Sequence, residues 1–380
     1  MPPDPALSAH PVRPDPIAMR LRTVHRAVAD LRRGTPVLLE GATDLVALAA
    51  ETASARGLGE LASLASGAPV LLLSAVRAAT VLRRPVAPSG AAVAFRTAGL
   101  LDRTALRSMA DPTAPQLLPD PPELAAVPKL ADAALALTKL GRLLPAAVVA
   151  PARAGAPGLA SAQGLLAIAA EDVLAHPDRE AAALVRVAEA NVPLEHARDA
   201  RVVAFRAPDA GIEHLAIVVG EPAHAPEDGP APLVRLHSEC FTGDLLGSLR
   251  CDCGPQLRTA LRRIGEHGTG VLLYLAQEGR GIGLPSKLRA YALQDRGLDT
   301  IDANRALGWN ADERNFLVAA TMLGQLGMRR IRLLTNNLDK LAALAACGVE
   351  IAGREPLVVP PNGVNDHYLA TKARRFGHLL

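Results

Sequence analysis

Three short apolar runs fix most of what the second half of this chain can fold into. LVRLHS (233–238), VLLYL (271–275) and RIRLL (330–334) are each too short for a helix, and helical patterns separate them. Leu257, Leu261 and Ile264 line one face of a helix ending near Gly268. A second helix covers 286–296, a third runs from Asp312 to Gly327, and a fourth from Leu338 to Cys347 with Gly348 as its cap. Strands alternating with helices predict an α/β sheet with parallel strands, whose ligand site lies at the carboxyl ends of those strands. Polar segments stand there: a cysteine-rich stretch after the first run, QEGRGIG after the second and TNN after the third. ARVVAF (200–205) and HLAIVVG (214–220) add two strands upstream, joined to the rest by the loop 221–232.

The first half has its own pattern. Val24, Ala27, Val28 and Leu31 recur at helix spacing up to Gly34, and TPVLL (35–39) and PVLLLSAV (69–76) read as buried strands. Alternating apolar and alanine-rich segments continue to about Ala190, broken by PDPPELAAVP (119–128). We expect a proline-rich disordered tail at 1–19, one domain at 20–190 and a second at 191–380. The fold class is α/β (mixed α+β), with two domains, which the length of 380 residues accommodates.

A net charge of +3 lacks the dense basic block of a general nucleic-acid binder. The first eighteen residues carry no apolar h-region, and no apolar run reaches the roughly 18 residues of a membrane span. The expectation is a cytoplasmic protein that binds neither nucleic acid nor membrane. In a reducing compartment, clustered cysteines point to metal ligation or catalysis rather than disulfides.

CFTGDLLGSLRCDC (240–253) places Cys240, Cys251 and Cys253 at a C-x10-C-x-C spacing. Three thiolates match a catalytic zinc with one position left open. His237 is close enough in sequence to close the site instead, and the distant Cys347 reads as a small core residue. Zinc suits three thiolates better than iron does, and its bound water, with a pKa near 7, suits hydrolysis.

QEGRGIGL (277–284) is either a tight turn or a loop that brings backbone close to a ligand. Glu278 could read base N–H donors and Arg280 could hold phosphate. In ADERNF (311–316), Asp312 suits an N-cap and Glu313 the first turn of a helix, whereas Arg314 opposes the helix dipole and suggests an anionic partner. LLTNNLDK (333–340) is a Thr/Asn cap with a solvated lysine, or a helix-start anion site holding phosphate on Thr335 and Lys340. Lys287, Arg289 and Arg296 share a helix with Tyr291, whose hydroxyl is either core or site.

The run RLHSECFTGDLLGSLRCDCGPQL (235–257), with QEGRGIGL, AYALQDRGLDT (290–300), ADERNF, LLTNNLDK and NDHYLATKARRFGHLL (365–380), closely resembles GTP cyclohydrolase II over about 195–380. The resemblance implies a catalytic Zn2+ on Cys240, Cys251 and Cys253. It implies GTP contacts at Arg235, Leu236, His237, Ser238, Glu239, Gln256, Glu278, Gly279, Arg280, Thr300, Thr335 and Lys340. It further implies Asp312 as proton acceptor, Arg314 as nucleophile or phosphate clamp, and Tyr291 in hydrolysis of the formyl group. The implied reaction takes GTP, with Mg2+ on its triphosphate, to the diaminopyrimidinone ribosylamine phosphate that starts riboflavin synthesis, releasing formate and diphosphate. A homodimer is expected.

Fragments of 20–190 are similar to 3,4-dihydroxy-2-butanone 4-phosphate synthase: RAVADLRRGTPVLL (26–39), DLVALAAE (44–51), TAGLLDRTALRSMADP (97–112) and LPAAVVA (144–150). Only Glu40 and Asp44 remain of the acidic cluster that family uses for magnesium. KLADAA (129–134) has no histidine, and Ala150 or Pro151 stands where a glutamate is expected. We read this half as a synthase-like domain without its activity. The alternatives are a related enzyme that keeps the formyl group, a nucleotide-binding regulator without turnover, and a bifunctional enzyme.

Overall fold

The structure, a computed structural model, describes residues 15–86, 92–97, 101–117, 122–226, 229–366 and 375. The expected tail lies outside them up to residue 14, as does most of the closing segment 365–380 and parts of the segments 97–112, 119–128 and 221–232. The tail does not extend to 19: helix α1 (Pro16–Arg32) starts at Pro16, where Asp15 accepts from the Ile17 N–H as N-cap and the proline costs no helical hydrogen bond.

Strands β1 (Val37–Glu40), β2 (Leu45–Ala49), β3 (Val70–Ser74), β4 (Ala92–Arg96), β5 (Leu124–Ala125), β6 (Ala146–Pro151) and β7 (Ala167–Ala169) form the first sheet, in the order β5-β4-β3-β6-β2-β1-β7. Every pairing in it is antiparallel except β1 with β7. Around it lie α1, α2 (Ala55–Leu64), α3 (Ala75–Leu82), α4 (Arg103–Ala110), α5 (Ala131–Leu140), α6 (Ala156–Ala162) and α7 (Ala170–Ala182). Strands β2 and β3 are nearly continuous Leu, Val and Ala, buried on both faces, because helices cover both sides.

The second sheet has the order β14-β13-β11-β12-β10-β9-β8, from β8 (Val185–Asn191), β9 (Arg201–Arg206), β10 (Glu213–Val219), β11 (Leu233–Ser238), β12 (Gly270–Leu275), β13 (Arg330–Leu334) and β14 (Glu350–Glu355). The expected division at 190/191 cuts β8, which pairs with β9, so the second sheet begins at Val185. The half from β14 to β12 is parallel and the half from β12 to β8 antiparallel. Its helices are α8 (Cys253–His267), α9 (Leu284–Gln294), α10 (Thr300–Ala306), α11 (Leu317–Gln325) and α12 (Leu338–Ala346).

The two units share a core. Leu48, Leu71, Phe95 and Met109 of the first pack in one cluster with Ile282, Leu293, Leu307 and Trp309 of the second. Arg77, buried on α3, donates from Nε to the Met109 carbonyl (2.8 Å) and from Nη1 to the Ala306 carbonyl (3.4 Å), across the junction. The expected helix start at Asp312 is wrong: α11 begins at Leu317 and 310–316 is irregular. Cys347 is exposed at the end of α12 rather than a core residue. Among the described residues no helix is long and apolar enough to cross a membrane.

Candidate active site

The site occupies the carboxyl ends of β11, β12 and β13. Strand β11 delivers His237, Ser238 and Glu239 and then Cys240; the chain makes one π-type turn over Phe241–Leu245 and returns Cys251 and Cys253 to the start of α8. The donor atoms of the three cysteines lie within 4.8 Å of one another, and Cys240 Sγ is 3.8 Å from Cys251 Sγ. A tetrahedral zinc with Zn–S of about 2.3 Å needs sulfurs about 3.8 Å apart, so the donor set fits this ion. Gly243 makes the approach possible: a Cβ there would stand 2.7 Å from Cys251 Sγ and 2.9 Å from Cys240 Sγ.

The electrostatics point the same way. Hydrogen bonds from Cys251, Cys253 and Lys287 push the Cys240 thiol far below its ordinary value. Hydrogen bonding to Cys240, with burial, pushes Cys251 up to about 11, and hydrogen bonding to Cys240 and Cys251, with burial, pushes Cys253 well up too. Three packed thiols sustain one anion by themselves; a dication removes the mutual repulsion and admits all three thiolates.

A shell of buried polar groups holds the turn. Asp244 accepts from the Cys240 N–H (2.9 Å), from His237 Nε2 (3.0 Å) and from the Tyr274 hydroxyl (3.0 Å). Lys287 Nζ donates to Cys240 Sγ at 3.0 Å and to Glu278 Oε1 at 2.8 Å. Glu278 Oε2 accepts from the Phe241 N–H at 2.7 Å. Sequence reasoning missed Asp244, although it lies inside the cysteine motif, and gave Lys287 no role beyond its place on the helix of Tyr291. The buried Glu278, expected to contact GTP, lines the cleft while its carboxylate also accepts from the Phe241 N–H and from Lys287.

Arg235, His237, Ser238, Glu239, Gln256 and Gly279 line one cleft with the cysteines. Arg280, Tyr291, Thr300, Arg314, Thr335 and Lys340 line it too, as does Glu278. Leu236 and Asp312 do not. The Leu236 side chain joins the core of the second sheet, and only its carbonyl turns toward the site, accepting from Lys340 Nζ at 3.0 Å. Asp312 is exposed next to Arg314 and accepts from its Nε at 2.8 Å. Partial desolvation would raise its carboxyl, but the hydrogen bonds and charge of Arg314 outweigh that and hold it below the ordinary range. Arg314 also reaches Ser238 Oγ at 3.4 Å.

A family profile described as GTP cyclohydrolase II matches residues 185–356. The GTP cyclohydrolase-2 of Azospirillum brasilense is 46% identical over 377 residues, spanning 95% of this chain and 94% of its own. The chain belongs to the GTP cyclohydrolase II family. The GTP cyclohydrolase-2 of Actinobacillus succinogenes is 52% identical over 199 residues, 52% of this chain and 89% of its own. The chain is also similar to the crystal structure of RibBX, a two-domain 3,4-dihydroxy-2-butanone 4-phosphate synthase from A. baumannii. That match is 18% identical, covers 89% of this chain and 99% of the other, and has a TM-score of 0.32, too loose to carry a further argument.

Arg235 is one of the buried cations of this cleft, with Lys340 and Lys287. It donates from Nη1 to the Leu334 carbonyl (3.0 Å) and from Nη2 to Gln256 Oε1 (2.7 Å), and burial lowers its pKa to about 10. Tyr291 faces the cleft, and burial raises its hydroxyl to about 12. Arg250 stacks on its ring, 5.1 Å from the centroid. Thr335 Oγ1 accepts from the Asn337 N–H at 3.1 Å and Asn337 caps α12, so the cap forms, but Lys340 is buried rather than solvated, and all three residues line the cleft.

Proposed function

We propose that this chain hydrolyses GTP, opening the guanine imidazole ring, releasing C8 as formate and separating diphosphate from the sugar phosphate. The juxtaposition of three metal-competent sulfurs with a cationic cleft carries this reading. Arg235, Arg250, Arg280, Arg314, Lys287 and Lys340 line the cleft, against the carboxylates of Glu239 and Glu278. That balance suits a triphosphate, with Mg2+ arriving on the substrate.

Cys240, Cys251 and Cys253 would hold zinc, which when bound supplies Lewis-acid activation of water beside the purine. The chain's own residues divide the remaining work. Arg280 and Arg314 clamp phosphate oxygens. A guanidinium offers donors and no free lone pair, so a clamp fits the chemistry of Arg314 better than a nucleophile. Asp312 orients that guanidinium and accepts a proton only once the substrate loosens the pair. Tyr291, its hydroxyl protonated throughout the neutral range, donates a hydrogen bond to the formyl oxygen. Glu239, raised by burial and by nearby Glu278, is the cleft carboxyl free to face guanine N–H groups.

The first unit carries no second activity in this reading, because KLADAA lacks the histidine, and Ala150 or Pro151 stands in place of the glutamate, that its resemblance requires. Leu245, Leu246 and Leu249 stand exposed beside the cysteine turn, which supports assembly as a homodimer. Incubating the full chain with GTP, Mg2+ and Zn2+ tests the proposal: formate and diphosphate in equal amounts are expected, and GTP consumption without formate would refute it. Ribulose 5-phosphate with Mg2+ should remain unchanged.

A further inference from the structure

The two loops that carry the acid–arginine pair and the glycine-rich wall are anchored from outside the cyclohydrolase unit. Lys139, in the last turn of α5, donates from Nζ to Glu313 Oε1 at 2.6 Å. The pair is mostly buried, the two side chains being 26% and 17% exposed. The same Glu313 oxygen accepts from the Asn310 N–H at 2.8 Å, and the Glu313 N–H donates to the Arg280 carbonyl at 3.1 Å. Glu313 is thus the fixed point between Asp312 and Arg314 in a stretch with no regular structure of its own.

Three residues past Lys139, Arg142 reaches the other loop. Its Nη2 donates to the Ala276 carbonyl at 2.8 Å, and its side chain covers Gly283, where a Cβ would meet Arg142 Cβ at 3.1 Å. Arg142 has a left-handed backbone, φ +53°. A non-glycine residue persists there only when its surroundings over-determine it, and such strain gathers at functional positions. Gln277 Nε2 closes the frame by donating to the Asn315 carbonyl at 2.9 Å, tying the two loops together.

We propose that Lys139 and Arg142 of the first unit are positioning residues for the reaction proposed above, on which this inference rests. Lys139 sets the Asp312–Arg314 pair through Glu313, and Arg142 sets the Gly279–Arg280 wall through Ala276 and Gly283. Neither touches the cleft. The first unit thereby completes a site that it does not line.

The test is kinetic and uses the full chain. Displacing reacting groups by about 1 Å costs on the order of 100-fold in rate. Lys139→Met is therefore expected to lower kcat about 10- to 100-fold with little change in the KM for GTP, and Lys139→Arg to restore most of it. Arg142→Met is expected instead to raise KM about 10-fold, because the wall it holds carries substrate contacts. Glu313→Gln should match Lys139→Met, and the double variant should be no slower than the slower single. Hydrogen exchange at the Glu313 amide should quicken in Lys139→Met while zinc content stays unchanged. Where Lys139→Met does not fold, Lys139→Gln takes its place in the cycle. Rates within twofold of the parent, losses that multiply, or a Lys139→Arg variant as slow as Lys139→Met would overturn the inference. A parent chain that releases no formate would instead refute the proposed reaction, and the exchange measurement would still decide the anchoring.

Discussion

Lys287 Nζ stands 3.0 Å from Cys240 Sγ and 2.8 Å from Glu278 Oε1, a buried cation shared between a thiolate and a carboxylate. Burial alone would lower its pKa, but those two partners outweigh the desolvation and keep it charged. With zinc on three thiolates the centre carries a net negative charge, and this ammonium offsets it. Lys287→Met should weaken zinc retention about 10- to 100-fold, the usual loss when a group hydrogen-bonded to a metal ligand is removed. Competition with a chromophoric chelator measures it. Lys287→Arg should lose less, and equal retention by the methionine variant would remove Lys287 from the centre.

Gly243→Ala is the smallest change that should destroy the site. The added methyl group would meet two sulfurs and the Cys253 Cβ, all inside 3 Å. Sulfurs held by a short turn and a helix start cannot retreat without opening the tetrahedron. Zinc content, read by mass spectrometry, should fall below one per chain, and GTP turnover should fall by at least about 100-fold, the scale on which misplaced catalytic groups act. The first sheet lies elsewhere, so circular dichroism should change little.

The alternating runs made the second sheet legible, because strands that short, separated by helical periodicity, leave few topologies. The cysteine cluster was legible because three thiols within fourteen residues match a zinc ligand set with one position open. What stayed hidden was set by tertiary context. Asp312 offers a good N-cap by composition, yet Arg314 captures its carboxylate and the helix waits until Leu317. Nothing in QEGRGIGL showed that the Glu278 carboxylate would also accept from Lys287 and the Phe241 N–H, partners brought to it by the fold. Lys139 and Arg142 carry no local signal at all, since their partners lie 174 and 134 residues away.

Stability should fall as the pH drops below neutrality. Burial lowers His176 and His214 to about 4, against an ordinary value near 6.5. Between those values the unfolded chain binds more protons than the folded one, so stability is full above about pH 6.5 and is lost toward pH 4. Each histidine would contribute roughly 3 kcal/mol over the whole window. Urea midpoints at pH 7.5, 6.0 and 5.0 measure the slope. His176→Leu should flatten it, even if the variant is less stable throughout, because Glu180 loses a partner 3.6 Å away. An unchanged slope would show that His176 is not the group that titrates.

The shared core makes a prediction about cooperativity. Trp309 is the chain's one tryptophan, 1% exposed, and it packs among Leu48, Phe95 and Met109 of the first unit as well as Leu307 of the second. Its emission therefore reports the junction. If the units unfold together, the emission shift and the loss of circular dichroism should follow one denaturation curve. Trp309→Ala should cost about 3–5 kcal/mol, the range for truncating a buried aromatic, read from the circular dichroism curve alone. Residues 185–380 expressed alone would expose Ile282, Leu293, Leu307 and Trp309, with red-shifted emission and self-association as the expected result. Relatives that span only half of this chain are 52% identical to it, so the piece should still fold. It should turn over GTP more slowly than the full chain, because Glu313 and Ala276 have lost Lys139 and Arg142. Equal turnover by the piece and the full chain, with a blue-shifted tryptophan, would mean that the junction does not shape the site.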